Sequence, residues 1–195
     1  DLTRPSGTVR TLSQHEELPL LRDHLLRLDR TSRHDRFHGF MDDSFIERYA
    51  EKCACDGTAI VAYFEDDVVR GAAELHPPDS HDDIPEIAFS VESKVRRQGV
   101  GTVLFRKLIS VARAKGYERL RITTGSSNDA MRALANKFGA HLSFNQGEST
   151  GVIDLTRPSQ LELAPALVIA PIEAARAIAN FNRAYWRILF RMYGW

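Results

Sequence analysis

Apolar positions along the chain fall into two periods. Thr8 to Leu12 alternates as a short strand, and Leu18, Leu21, Leu25 and Leu28 then recur on one helical face. Ser13 with Glu16 three residues on reads as a capping box for that helix. Residues 31–40 are polar and aromatic and read as a loop. Asp42 or Asp43 caps a second helix running to about Cys53. Thr58–Phe64 and Val68–Leu75 alternate as two strands joined at Glu65-Asp66-Asp67, and Ile84–Val91 is a third. A helix over Thr102–Lys115 follows, with Leu104, Leu108, Val111 and Ala112 inward and Gly116 at its end. Leu120–Thr124, a helix over Asn128–Phe138, and a hairpin of Ala140–Phe144 with Thr150–Leu155 complete the pattern.

Between the Ile84 strand and the next helix stands Arg96-Arg97-Gln98-Gly99-Val100-Gly101. A glycine-rich turn there leaves the first amides of the helix unpaired at the positive end of its dipole, which suits phosphate. Arg96 and Arg97 add charge for the same anion. No Gly-Lys-Ser/Thr follows, so the segment is not a P-loop, and the third glycine of a dinucleotide fingerprint is missing. The match is to Arg/Gln-x-x-Gly-x-Gly/Ala, which resembles the coenzyme A pyrophosphate loop of the GNAT superfamily of acyl-CoA-dependent N-acyltransferases. Ile84–Val91 resembles that family's strand entering the loop. Asn128-Asp129-Ala130-Met131 through Phe138-Gly139-Ala140 resembles its next helix. Leu28-Asp29-Arg30-Thr31-Ser32-Arg33-His34-Asp35-Arg36-Phe37 resembles the Ser-x-x-x-x-Arg-Phe segment of bacterial protein lysine acetyltransferases.

The resemblance spans residues 8–155 and implies an α/β fold: a mixed, mostly antiparallel sheet flanked by helices, in the order strand, two helices, three strands, helix, strand, helix, two strands. It implies acetyl-CoA as co-substrate and a primary amine, on a protein lysine or a small molecule, as acceptor. Gln98–Thr102 would bind the pyrophosphate, the amides of Phe89 and Val91 the pantetheine arm, and Asn128 either that arm or only its own helix cap. Alternation puts Glu86, Ala88 and Ser90 on one face of their strand. Glu86 is the lone carboxylate there, and partial burial would suit it to general-base work. The resemblance assigns it that role; a structural glutamate or an amine anchor is the alternative. Ala135 stands where many family members carry the tyrosine that protonates the leaving thiolate. A non-catalytic acyl-CoA sensor would keep the Arg96 loop and dispense with the base.

Composition narrows the partners. In 195 residues, Lys+Arg and Asp+Glu each number 26, so a formal charge of +0 gives no global pull toward nucleic acid or an anionic membrane. The Arg96 loop is then a local basic feature, and it favours a small anionic ligand. Asp79, Asp82 and Asp83 precede Glu86 and would favour a cationic acceptor if they line its cleft. Cys53 and Cys55 are one residue apart, too close for an easy disulfide, and seven histidines form no metal pattern. Reduced thiols and no visible signal segment point to the cytoplasm. The start at Asp1 reads as a trimmed N-terminus, and the echo of Asp1–Ser6 in Asp154–Ser159 is too short for a repeat architecture.

Residues 156–195 form an extension beyond the resemblance, punctuated by Pro158, Pro165 and Pro171. Ile178, Phe181, Tyr185, Ile188, Met192 and Trp195 recur three and four apart, as on an amphipathic helix that packs on its own domain, pairs two copies, or meets a membrane or another partner. Deletion after Pro171 is expected to lower the melting temperature or to split a dimer. Light scattering and thermal melts on both chains check this; a monomer in each case with an unchanged melting temperature excludes both packings.

Overall fold

A computed structural model describes residues 6–13, 16–78, 83–145 and 147–157. The expected terminal helix and its dimer seam lie outside the described residues. Seven strands form one sheet: β1 (Thr8–Thr11), β2 (Ala59–Glu65), β3 (Val68–His76), β4 (Glu86–Val91), β5 (Arg119–Gly125), β6 (His141–Asn145) and β7 (Glu148–Asp154). Their order is β1-β2-β3-β4-β5-β7-β6. Every neighbouring pair is antiparallel except β4 with β5. The helices are α1 (Leu18–Leu26), α2 (Arg30–Phe37), α3 (Asp43–Cys55), α4 (Val100–Ala114) and α5 (Asp129–Lys137). This is the mixed, mostly antiparallel architecture expected.

The core is two-sided because β2 and β3 are buried on both faces. On one face Leu21 and Leu25 of α1 and Ile46 of α3 pack against Ile60, Ala62 and Ala72, all at 1% exposure or less. On the other, α4 buries Leu104, Phe105, Leu108 and Ala112. Its first turn lies close on Gly71, where an added Cβ would stand 3.2 Å from Leu104 Cδ1 and 3.3 Å from Val100 Cγ1. The turn between β2 and β3 has Asp66 and Asp67 both at positive φ, 50° and 58°. That backbone suits the right-handed twist of a two-residue hairpin.

Three local expectations are corrected. The 31–40 segment is largely helical as α2, not a loop. Its N-cap Asp29 accepts from Ser32 N at 2.8 Å, and no residue of α2 is buried. With no apolar face, the helix leaves no periodic trace in the sequence. The first helix starts at Leu18 with Glu17 as N-cap, with Pro19 in its first turn. Glu17 rather than Glu16 reaches back, accepting from Ser13 N at 2.8 Å. Finally, α4 begins at Val100, two residues before the expected Thr102, so Val100 and Gly101 belong to its first turn. Asp42 caps α3 as expected, accepting from Phe45 N. Cys53 is buried and unbridged; burial, first of all, pushes its thiol up to about 12.

Ion pairing seats α2 beside one apolar contact, Phe37 edge-on to Phe45 and Tyr49 of α3. Arg36 Nη2 donates to Glu74 Oε2 of β3 at 2.8 Å, and its neighbour Tyr49 of α3 donates to the same oxygen. His76 Nε2 lies 3.3 Å from Glu74 Oε2. Burial pushes the Glu74 carboxyl up, but the Arg36 charge and the His76 and Tyr49 bonds outweigh it and hold it at about 2. A carboxyl lowered on folding stabilises fully above its unfolded value of about 4.3, and that contribution is lost as pH falls toward 2. Arg36→Met should cost about 3 kcal/mol by leaving Glu74 charged and unpaired, and Arg36→Met with Glu74→Leu should recover most of it. Urea melts at pH 7 and pH 3 check both points, the double variant losing less than wild type on acidification. Equal costs for the single and double variants would show that the pair does not seat α2.

Candidate active site

β4 and β5 pair over two registers only, Glu86 with Arg121 and Ile87 with Ile122. Beyond Ile87 they part. Arg121 N donates to Pro85 O at 2.9 Å, so the odd-numbered residues of β4 turn their main-chain groups toward β5. The N–H and C=O groups of Phe89 and Val91 therefore face the gap. Arg96 Nε already donates to Val91 O at 3.0 Å. The Phe89 ring stacks on Phe105 of α4, which stacks on Phe138 beyond α5, with centroids 4.8 Å and 4.1 Å apart. This ladder fixes the Phe89 side chain against α4.

The gap widens into a cleft of about 740 Å³, walled by β4 from Ile87 to Val91, β5 from Ile122 to Thr124, the first turns of α4 and α5, and α2. At its inner end Gly99, at φ 83°, is the N-cap of α4, and no side chain caps the helix. Thr102 N turns back to Gly99 O at 3.0 Å, which leaves the Val100 and Gly101 amides without an intrahelical acceptor. Arg97 also holds a positive φ, 58°, so the loop is bent twice within three residues. The result is a concave row of donors at the positive end of a 15-residue helix.

Of the residues expected at the site, Phe89, Val91, Arg96, Arg97, Gly99 to Thr102 and Asn128 line this one cleft. Two do not. Gln98 donates to Lys94 O at 3.0 Å and closes the loop from behind. Glu86, the first residue of β4, is exposed, so the partial burial expected of it is not found. Asn128 spends its Oδ1 on Met131 N, 3.0 Å away, as the cap of α5. Ala135 is fully buried.

Sequence reasoning missed α2. Arg96 Nη2 bonds to Ser32 Oγ and lies 3.6 Å from Asp29 Oδ2, at the start of α2. At the far end His38 Nδ1 lies 3.2 Å from Glu148 Oε1, beside the end of β5. The helix thus crosses the mouth of the gap, and Ser32, Asp35 and Arg36 line the cleft. The acidic run before β4 does not contribute its described member: Asp83 is turned to Arg119 at 3.4 Å. A second buried cluster ties α1 to the end of β4. His24 bonds to Ser90 Oγ at 2.9 Å and to Glu92 Oε1 at 3.2 Å, and Arg27 and Arg70 each reach Glu92 at 3.0 Å. Among the described residues no group of three or more potential ligands could hold a metal, and no helix is long and apolar enough to cross a membrane.

A family model described as acetyltransferase (GNAT) family matches residues 24–140. Solved structures share the fold. The GNAT domain of S. lividans PAT superposes with a TM-score of 0.64 at 18% identity, over 76% of this chain and 90% of that one. The yncA protein of Salmonella typhimurium, solved with its cofactor acetyl-CoA, gives 0.58 at 17% identity over 80% and 97%. A phosphinothricin acetyltransferase from Sinorhizobium meliloti in complex with AcCoA gives 0.58 at 16% identity over 80% and 95%.

The donor row gives a direct test. A Cβ on Gly101 would meet only Leu134 Cδ2 at 3.1 Å, the far end of a flexible side chain, so substitution there need not disturb the fold. Gly101→Asp is expected to weaken coenzyme A binding by at least about 2 kcal/mol through repulsion of the diphosphate. Unchanged calorimetric affinity in a folded variant would remove the diphosphate from this loop.

Proposed function

The chain belongs to the acetyltransferase (GNAT) family, and on that premise we propose that it transfers the acetyl group of acetyl-CoA to a primary amine by direct attack. The observation that carries this reading is the parting of β4 from β5 directly in front of the uncapped end of α4. The diphosphate sits on the Gly99–Gly101 amides with Arg97 beside it. The pantetheine arm lies along the open edge of β4, where Phe89 and Val91 present the main-chain groups a third strand would otherwise take. An amide of that edge stabilises the oxyanion as the tetrahedral intermediate forms.

The amine approaches from the α2 side. Ala88 lines the cleft there, and Glu86 follows on the same face of β4, two residues or about 7 Å along the strand. In this reading Glu86 takes the proton of the attacking amine across the cleft mouth, directly or through one water. With Ala135 in place of a phenol, the leaving thiolate takes its proton from solvent. The exposure of Glu86 favours one competing reading, an acyl-CoA sensor with no transfer step.

Glu86→Gln keeps the shape and removes the base. Acetyl-CoA affinity is expected to hold while turnover falls roughly 100-fold, the usual effect of losing a general base, and one ionisation should vanish from the pH–rate profile. Thiol release with a panel of amines measures it. Turnover within a factor of a few places the base elsewhere. No release with any amine, while coenzyme A still binds, identifies the sensor.

A further inference from the structure

The acceptor side of the cleft carries a carboxylate that no arginine or lysine answers among the described residues. Two carboxylates line the cleft, Asp35 of α2 and Asp129 of α5. Asp129 is held by Arg132 at 3.0 Å and sits in the first turn of its helix. Asp35 has no arginine or lysine partner among the described residues; the imidazole of His34 lies 3.8 Å away. Arg36 is next to it in sequence and also lines the cleft, but its guanidinium is committed to Glu74 and Tyr49. The Arg36 charge is therefore balanced inside the fold, and that of Asp35 is left to the cleft.

We propose that Asp35 is the counter-charge for a second cationic group on the acceptor, so that the site takes a dicationic amine: a diamine, a polyamine, or a lysine beside another basic group. This rests on the transfer reading above. A second carboxylate beside the reacting nitrogen, in addition to the base, would favour its protonated form and slow attack. Asp35 serves better one group away, while Glu86 on β4 deals with the nitrogen that reacts. The placement fits this division. Asp35 projects from the helix crossing the mouth, and Glu86 stands at the start of the strand opposite. The polar anchoring of α2 acquires a purpose: a helix with no buried residue is kept over the mouth by Asp29, Arg36 and His38, and it carries Asp35 there.

The test compares 1,5-diaminopentane with n-pentylamine, which share the reacting amine and differ in the second charge. Calorimetry on the coenzyme A-saturated full chain should show the diamine binding at least 10-fold more tightly. Asp35→Asn should bring the two within about 3-fold of each other and leave coenzyme A affinity unchanged, whereas Asp35→Glu should retain part of the preference. No preference in the wild type, or a preference that survives in Asp35→Asn, overturns the inference. Thiol release separates it from the reaction itself. Diamine bound through Asp35 but never acetylated upholds the subsite and removes the transfer reading. Acetylation of both amines with equal kcat/KM upholds transfer and removes the subsite.

Discussion

Everything at the site depends on two strands ceasing to pair. β4 and β5 share two registers and then diverge, and a sheet interrupted in this way leaves main-chain donors and acceptors without a strand to satisfy them. Unpaired groups inside a protein cost free energy, so such a gap persists only where something holds it open and something else can occupy it. On one side the Phe89–Phe105–Phe138 stack and the close seat of α4 on Gly71 fix β4 to the layer beneath. On the other, β5 is zipped to β7 along its whole length. Neither strand can close on the other without breaking those contacts. On the reading proposed above, an extended ligand with amide groups would answer the exposed edge, and the end of α4 would answer a diphosphate at its tip.

Polar clusters do the orienting on the face opposite α4. Glu92 collects His24, Arg27 and Arg70, and Glu74 collects Arg36, Tyr49 and His76. Each draws a helix onto β4 or its neighbour at one end of the cleft. Both carboxyls feel burial pushing them up, and their hydrogen-bonded cations bring them down to about 2. Such charges add less to stability than an apolar replacement could, but a missing partner is costly, so geometry is tightly specified. Apolar packing would hold α2 anywhere along a greasy surface; a guanidinium between Glu74 and Tyr49 holds it in one place. The cleft wall is therefore set by directional contacts. The core beneath it is set by volume.

Most of the elements were legible because their apolar residues repeat at 2 or 3.6, and burial follows those periods: Leu21 and Leu25 on α1, Leu104 and Leu108 on α4, Ile87 on β4. The Arg96–Gly101 segment was legible because glycine at a helix start leaves few other readings, and Gly99 does take the left-handed backbone. Helix α2 was not legible. Only Phe37 among its eight residues is apolar, and the ion pair and hydrogen bond that place it across the cleft join positions 38 and 64 apart in sequence, Arg36 with Glu74 and Ser32 with Arg96.

The sequence by itself thus determined most of the alternation of strands and helices and the place of the glycine-rich turn before α4, because each rests on neighbours within a few residues and on the local geometry of glycine and capping side chains. Only the tertiary structure decided where the strands part, that Glu86 stands exposed while Glu74 lies fully buried, and that Asp35 lines the cleft without an arginine or lysine partner among the described residues. Those facts depend on strand register and on ion pairs closed across the fold. No local period encodes either, because a one-residue change of register exchanges the two faces of a strand.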